Sequence, residues 1–274
     1  MWFDQHVHME HGPYTPLEYP HEWLEQFLEV GHSRQITGLG IVEHGYRFTE
    51  SRGLLPGEWS LRRCLYPLRG YTEFLDQIRG RYPIAVGLEM DYVPAQEVGI
   101  RDYLKRYSWD FVLGSIHFID EFGLDVSETK DEYSRRDPEE IWSTYYRYSI
   151  QAAESGLFNV LTHPDLPKIY GSPKPPDSML VPWYHRFIEA LADNHVALEI
   201  NTAGLRRPVR EIYPHPRLLQ EAARVHLPVT LASDAHEPEN VGRFFDQARK
   251  LAMECGIDKV TAFGANGVVT MWLR

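Results

Sequence analysis

The chain has 274 residues, 43% of them hydrophobic, and 39 acidic against 28 basic side chains give it a formal net charge of −11. That balance disfavours a nucleic-acid surface, which needs clustered Lys and Arg to displace counterions, but leaves room for a small anionic substrate if bound cations reverse the local sign. No apolar run approaches the ~18 residues of a membrane span, and two cysteines, Cys64 and Cys255, define no disulfide framework, so a cytoplasmic setting without membrane association is expected.

The predicted elements alternate strand and helix. Trp2–Val7 begins a strand at once, with no basic or signal-like leader before it. A Gly/Pro/Tyr loop to Pro20 leads to a helix over Glu22–Gln35, where Trp23, Phe27, Leu28 and Val30 recur at helical spacing. Strand two is Gly38–Val42, followed by a long polar segment, 45–67, and a helix over Tyr71–Tyr82. Strand three is Ile84–Leu88, and a helix around Val98–Tyr107 leads to strand four, Phe111–Ile116. A second long loop, 118–136, ends where Asp137 caps a helix with Pro138 in its first position. That helix runs to about Ser155, stopped by Gly156. Strand five is Phe158–Thr162. Helix Trp183–Asn194, strand six over Val196–Ile200 and helix Pro216–Val225 come next. Strand seven is Val229–Ser233. Helix Glu239–Cys255 and an apolar run, Val260–Phe263, complete the pattern. It contains no internal repeat, low-complexity segment or linker, so residues 1–274 are expected to form one domain.

Eight metal-compatible side chains stand at or just past the ends of these strands: His6 and His8, then His44, Glu89, His117, His163, Asp234 and His236. His6 and His8 are two apart on a strand, so both imidazoles face one side while Val7 packs the other way. Glu89 closes an apolar strand, where an unpaired carboxylate is costly to bury; a metal or a salt bridge would satisfy it. Asp91, two residues on, is compatible with solvent, and Glu43 with orienting an imidazole. Each histidine alone reads equally well as a core or surface residue. The joint pattern carries the inference. In a parallel barrel the strand C-termini share one face, and that face holds the active site. Seven or eight N and O donors exceed one tetrahedral zinc and suit a cluster of two or three divalent ions such as Zn, Mn or Fe.

Together these residues resemble the PHP (polymerase and histidinol phosphatase) superfamily. The resemblance is carried by His6-Val7-His8, Glu43-His44, Gly87-Leu88-Glu89, Gly114-Ser115-Ile116-His117, Thr162-His163 and Ser233-Asp234-Ala235-His236. The closer likeness to histidinol-phosphate phosphatases rests on Gly87–Asp91, His163–Lys168 and the stretch Asn201–Pro208. The resemblance implies an α/β fold, a distorted (β/α)7 barrel with a trinuclear metal centre at the strand C-termini. It assigns His6, His8, Glu89 and Asp234 to one ion, Glu89, His117 and His163 to a second, and His44 and His236 to a third with one ligand from the loop after strand one. Many relatives carry histidine six residues after His8, where this chain has Tyr14; Glu10 and His11 both remain candidates for that ligand.

The reading that follows is a metal-dependent phosphomonoesterase acting on a small phosphorylated substrate, with L-histidinol phosphate first among candidates. Another small phosphomonoester, or an inactive metal-binding regulatory domain, is the alternative. Glu89 and Asp234 are expected in the catalytic centre. His236 or Asp165 would help the leaving alkoxide. Arg206 is expected to grip phosphate through its guanidinium, Lys168 to add a second charge, and Arg207 to point elsewhere.

Overall fold

A computed structural model describes residues 2–10 and 19–273 of the chain. His11 and Tyr14, in the loop after the first strand, lie outside the described residues. Seven strands, β1 (Trp2–His8), β2 (Ile36–Val42), β3 (Ile84–Asp91), β4 (Phe111–Ser115), β5 (Val160–Leu161), β6 (Ala197–Asn201) and β7 (Val229–Ala232), pair in parallel in that order. The ring closes through a parallel bridge between Val7 and Ala235, with the His8 N–H donating to the Ala235 carbonyl at 2.8 Å. The expected seven-stranded α/β barrel is therefore the fold.

Helices α1 (His21–Ser33), α2 (Gly57–Leu61), α3 (Leu68–Ile78), α4 (Glu97–Leu104), α5 (Pro138–Glu154), α6 (Asp177–Asp193), α7 (Pro216–Arg224) and α8 (Phe245–Glu254) accompany the strands. At α5 the Asp137 carboxylate accepts the Glu139 N–H at 2.9 Å, satisfying one of the unpaired donors of a helix start.

Most element boundaries shift by a few residues from expectation, and three differences are larger. Helix α6 starts at Asp177 rather than Trp183 and carries Pro182 inside it. Leu180 and Tyr184 are both fully buried, so packing holds the segment helical across a residue that removes one backbone donor. The helix expected from Glu239 is instead a 3-10 turn over Pro238–Asn240, and α8 begins only at Phe245. Between them Gly242 and Phe244 take left-handed backbone conformations, and the Gly242 N–H goes to Asp4 Oδ2 at 2.8 Å. The last apolar run is β8 (Lys259–Gly264), paired antiparallel with β9 (Gly267–Trp272), a strand the sequence reading passed over.

The barrel interior is a small apolar plug. Val42, Ala85, Phe111, Leu113, Val160 and Ala197 meet there, with Phe3 and Phe263 packed against them. The Phe111 ring fills the lumen because Gly87 lacks a side chain; a Cβ there would stand 2.7 Å from the ring. Gln5 exchanges two hydrogen bonds with the Phe263 backbone, at 2.8 and 3.2 Å, tying the β8–β9 hairpin to β1. Side chains further along the strands are consequently free to build the opposite end.

Candidate active site

The C-terminal ends of β1 and β3, and the segments after β2, β4, β5 and β7, bring the eight predicted side chains together. Alternation along β1 puts His6 and His8 on the same side, with their Nε2 atoms 2.8 Å apart. Both are fully buried. Glu89 is the hub. Its Oε2 lies 3.3 Å from His6 Nε2, 3.2 Å from His8 Nε2 and 2.8 Å from His44 Nδ1. Its Oε1 lies 3.2 Å from His163 Nε2 and 3.7 Å from His117 Nε2. Asp234 Oδ1 stands 3.7 Å from His8, 3.9 Å from His6 and 3.6 Å from His236. Glu10 Oε1 meets His236 Nε2 at 3.1 Å, and Arg47 lies 3.3 Å from the other Glu10 oxygen.

The electrostatics of this knot suit a cation. Two imidazole nitrogens at 2.8 Å are reconciled only by a proton or a cation between them. The directions of the pKa shifts agree. Burial pulls His6 down, but the carboxylates of Glu199, Glu89 and Asp234 outweigh it and hold the ring well above the ordinary histidine value. Burial and the adjacent rings of His44 and His236 hold His8 well below it. Burial opposes ionisation of Glu89 and Asp234, yet the surrounding histidines keep both far below the usual carboxylate range. His44 Nδ1 and Glu89 Oε2 approach each other without hydrogen-bond alignment, and among the described residues neither has another hydrogen-bond partner. Imidazole nitrogens and carboxylate oxygens crowded in this way are the donors a divalent ion needs, so the residues present fit such a group.

Among the described residues, donor atoms fall into three overlapping groups, each within 4.8 Å: His6–His8–Asp234, His44–Glu89–His117 and His8–His44–His236. The grouping differs from the partition the resemblance implied: Glu89 is absent from the His6–His8–Asp234 group, His163 is in none of the three, His44 also joins Glu89 and His117, and His8 also joins His44 and His236. His44 approaches Glu89 as well as His236, and His8 is stacked between His44 and His236 with centroid separations of 4.2 and 4.4 Å.

The turns that present these groups are unusual. His163, Asp165 and Asp234 are non-glycine residues with φ of 26°, 73° and 53°, backbone states that persist only where surroundings enforce them. Asp4 enforces the last of these. Its carboxylate takes the Ser233 N–H at 2.8 Å and, in a shorter contact at 2.5 Å, the Ser233 hydroxyl. Arg206 adds to this, its Nη2 donating to the carbonyls of Ser233 at 2.8 Å and Asp234 at 3.0 Å. Asp165 turns away from the site. It accepts from the Tyr146 hydroxyl and, at 2.5 Å, from the His215 N–H, and it is fully buried.

A cavity of about 710 Å³ opens above the knot. Glu89, His117, His163 and Asp234 reach its floor, with His6 and His8 buried beneath. One wall carries Arg206, Arg207, Arg210 and Arg243, and Leu166, Ile169, Tyr213 and Phe244 give it apolar surface. Arg206 Nη1 is buried and, among the described residues, has no hydrogen-bond partner. Arg207, expected to point elsewhere, lines the cavity too. Lys168 lies outside the described lining. Its ammonium sits 3.0 Å from both Glu211 Oε2 and the Ile212 carbonyl and over the Tyr213 ring, so its charge is used in holding the turn after β5.

Three carboxylates carry structural weight that the sequence reading assigned otherwise or missed. Asp91 does not face solvent: it is 1% exposed and meets His117 Nδ1 at 2.9 Å. Its charge, against the opposing effect of burial, lifts His117 to about 10. Among the described residues Glu43 orients no imidazole. It takes the Met9 N–H at 3.0 Å and Arg47 Nη1 at 2.6 Å. Glu199 meets His6 Nδ1 at 3.0 Å. A glutamate inside the apolar run Ala197–Asn201 was the available signal, since such a charge must find a partner.

Comparison with known proteins agrees with this architecture. The PHP domain family profile matches residues 6–203. A protein of Deinococcus radiodurans named probable histidinol-phosphatase is 32% identical over 94% of this chain and 95% of its own length. The histidinol-phosphatase of Bacillus subtilis is 24% identical over 89% and 96%. The crystal structure of a histidinol phosphate phosphatase from Lactococcus lactis, complexed with zinc, L-histidinol and phosphate, shares the fold with a TM-score of 0.76 at 20% identity, covering 98% of both chains. By sequence and by fold, this chain belongs to the PHP domain family, alongside the histidinol-phosphatases.

Proposed function

We propose that the chain is a metal-dependent phosphomonoesterase that hydrolyses L-histidinol phosphate to L-histidinol and phosphate. The observation that carries the reading is the cavity itself: a floor of imidazole and carboxylate donors beneath a wall of four arginines. The names of the relatives supply the substrate. His6, His8, Glu89 and Asp234 would hold one divalent ion, Glu89, His117 and His163 another, and His44, His236 and Glu10 a third. Zinc, manganese or iron suits that donor set. Such ions supply Lewis acidity toward phosphate oxygens and make water acidic enough to attack near neutral pH.

The chain's own residues do the rest. Arg206 and Arg207 neutralise the phosphate and orient it toward the floor, leaving the ester oxygen toward the cavity mouth. Arg206 keeps Nη2 on the Ser233 and Asp234 carbonyls while its guanidinium borders the cavity. Glu89 lies between the two halves of the donor set and fixes their spacing. Leu166, Ile169 and Phe244 provide apolar surface for the organic part of the ester. The test is turnover of histidinol phosphate against a panel of other small phosphomonoesters, with zinc, manganese and iron supplied in turn. A kcat/KM for histidinol phosphate no better than for the panel would reduce the reading to a phosphatase of other specificity, and no turnover at all with any metal would end it.

A further inference from the structure

Glu199 is the central residue of β6, fully buried, and its two oxygens do different work. Oε2 lies 3.0 Å from His6 Nδ1. Oε1 accepts the backbone N–H of His163 at 3.0 Å and the side-chain amide of Asn201 at 2.7 Å. A carboxylate offers only acceptors, so the hydrogen in the first contact belongs to His6 Nδ1. A neutral His6 ring then carries its lone pair on Nε2, the atom that faces His8, Glu89 and Asp234. The second oxygen holds the main chain of His163 in its left-handed turn, from which the ring reaches Glu89 Oε1.

We infer that Glu199 is a positioning residue that selects the ring nitrogen His6 presents to a divalent cation and locks that choice to the His163 turn. One carboxylate thereby sets histidines on both sides of Glu89. The inference rests on the metal-dependent reading above.

Glu199→Gln discriminates this role from simple packing because it keeps the shape. The amide oxygen must replace Oε1, where two N–H donors wait. The amide nitrogen then faces His6 Nδ1 and donates to it. Nδ1 must give up its hydrogen, and the tautomer moves the proton to Nε2, directly into the cation position. Zinc titration of the full-length wild type and the variant against a chromophoric chelator measures the consequence. Loss of a hydrogen bond that orients a ligand weakens metal binding by roughly ten- to a hundred-fold, and this is the expected shift. Equal zinc affinity in a variant whose metal-free melting matches wild type overturns the role of Glu199 and leaves the metal-dependent reading intact. A wild-type chain that binds no zinc overturns both. If the variant does not fold, the zinc-loaded wild type still decides. Its His6 Nδ1–H must appear in proton NMR as a deshielded resonance protected from solvent exchange, and absence of that resonance overturns the inference.

Discussion

His8 and Ala235 are joined by the backbone hydrogen bond that closes the barrel, and the residues on either side of that bond belong to the donor cluster. His6 and His8 enter from the first strand, Asp234 and His236 from beyond the last. The seam of the barrel and the floor of the site are one place. A cation bound there would cross-link the two edges of the sheet, so binding and fold stability are coupled.

Protein prepared without chelator is expected to contain about two to three transition-metal ions per chain by elemental analysis, as a multinuclear centre requires. Removing them with EDTA should lower Tm. Free metal at about a thousand times Kd contributes roughly 4 kcal/mol, or about 8–16 °C at roughly 2–4 °C per kcal/mol. Re-addition of zinc should restore the transition. One ion or none per chain, with a Tm indifferent to EDTA, contradicts the cluster.

Glu89→Gln and Asp234→Asn remove an oxygen donor while keeping volume. Each should depress kcat by several orders of magnitude and lower the ion count, because the attacking water depends on the cluster. Far-ultraviolet circular dichroism should show the wild-type fold. Near-wild-type turnover in either variant would exclude that residue from the centre.

Arg206 and Arg207 line the same wall but differ in attachment. Loss of one charge-assisted pair to phosphate costs about 1.5–3 kcal/mol, so Arg207→Ala should lose roughly ten- to a hundred-fold in kcat/KM with the ion count unchanged. Arg206→Ala should lose at least as much and also loosen the Asp234 turn, which Arg206 holds through two carbonyls. Arg206→Lys should recover only part of it, since an ammonium cannot reproduce the planar fork. Kinetics with both alanine variants matching wild type would remove the arginine wall from substrate binding.

Lys168 separates stability from recognition. Its ammonium is committed to Glu211 and the Ile212 carbonyl, so Lys168→Met should lower stability by about 1–2 kcal/mol and leave KM within about twofold. A large rise in KM at unchanged Tm would return Lys168 to the substrate site.

The barrel was legible because six of its seven strands end at or just before a metal-compatible side chain, and because apolar runs alternated with helical spacing. That His6 and His8 share one side could be anticipated from strand alternation, and their meeting with Glu89 from the shared face of the strand C-termini and the family resemblance. What stayed hidden was fixed by contacts distant in sequence. Asp4 ends the 3-10 turn before α8 by taking the Gly242 N–H, and nothing near Gly242 in the sequence announces that. Lys168 appeared a phosphate ligand by charge, but burial beside Glu211 and Tyr213 gave it another use. Asp91 and Glu199 looked unremarkable because their partners are a strand or more away. Arg207 lines the cavity because the 3-10 turn Ala203–Arg206 ends at it and the chain continues extended.

Asp4 and Ser233 are 229 residues apart in the chain, yet they share the bonds that shape the Asp234 turn. A polypeptide leaves the ribosome from its N-terminus at about 5–20 residues per second. His6 and His8 therefore emerge well before Asp234 and His236 and wait for them for roughly 10–50 seconds at that pace. The cluster cannot be assembled on a partly made chain. Loading of the complete cluster would then be a late event of biosynthesis, and a product truncated before Asp234 would carry the first two histidines without the means to complete their site.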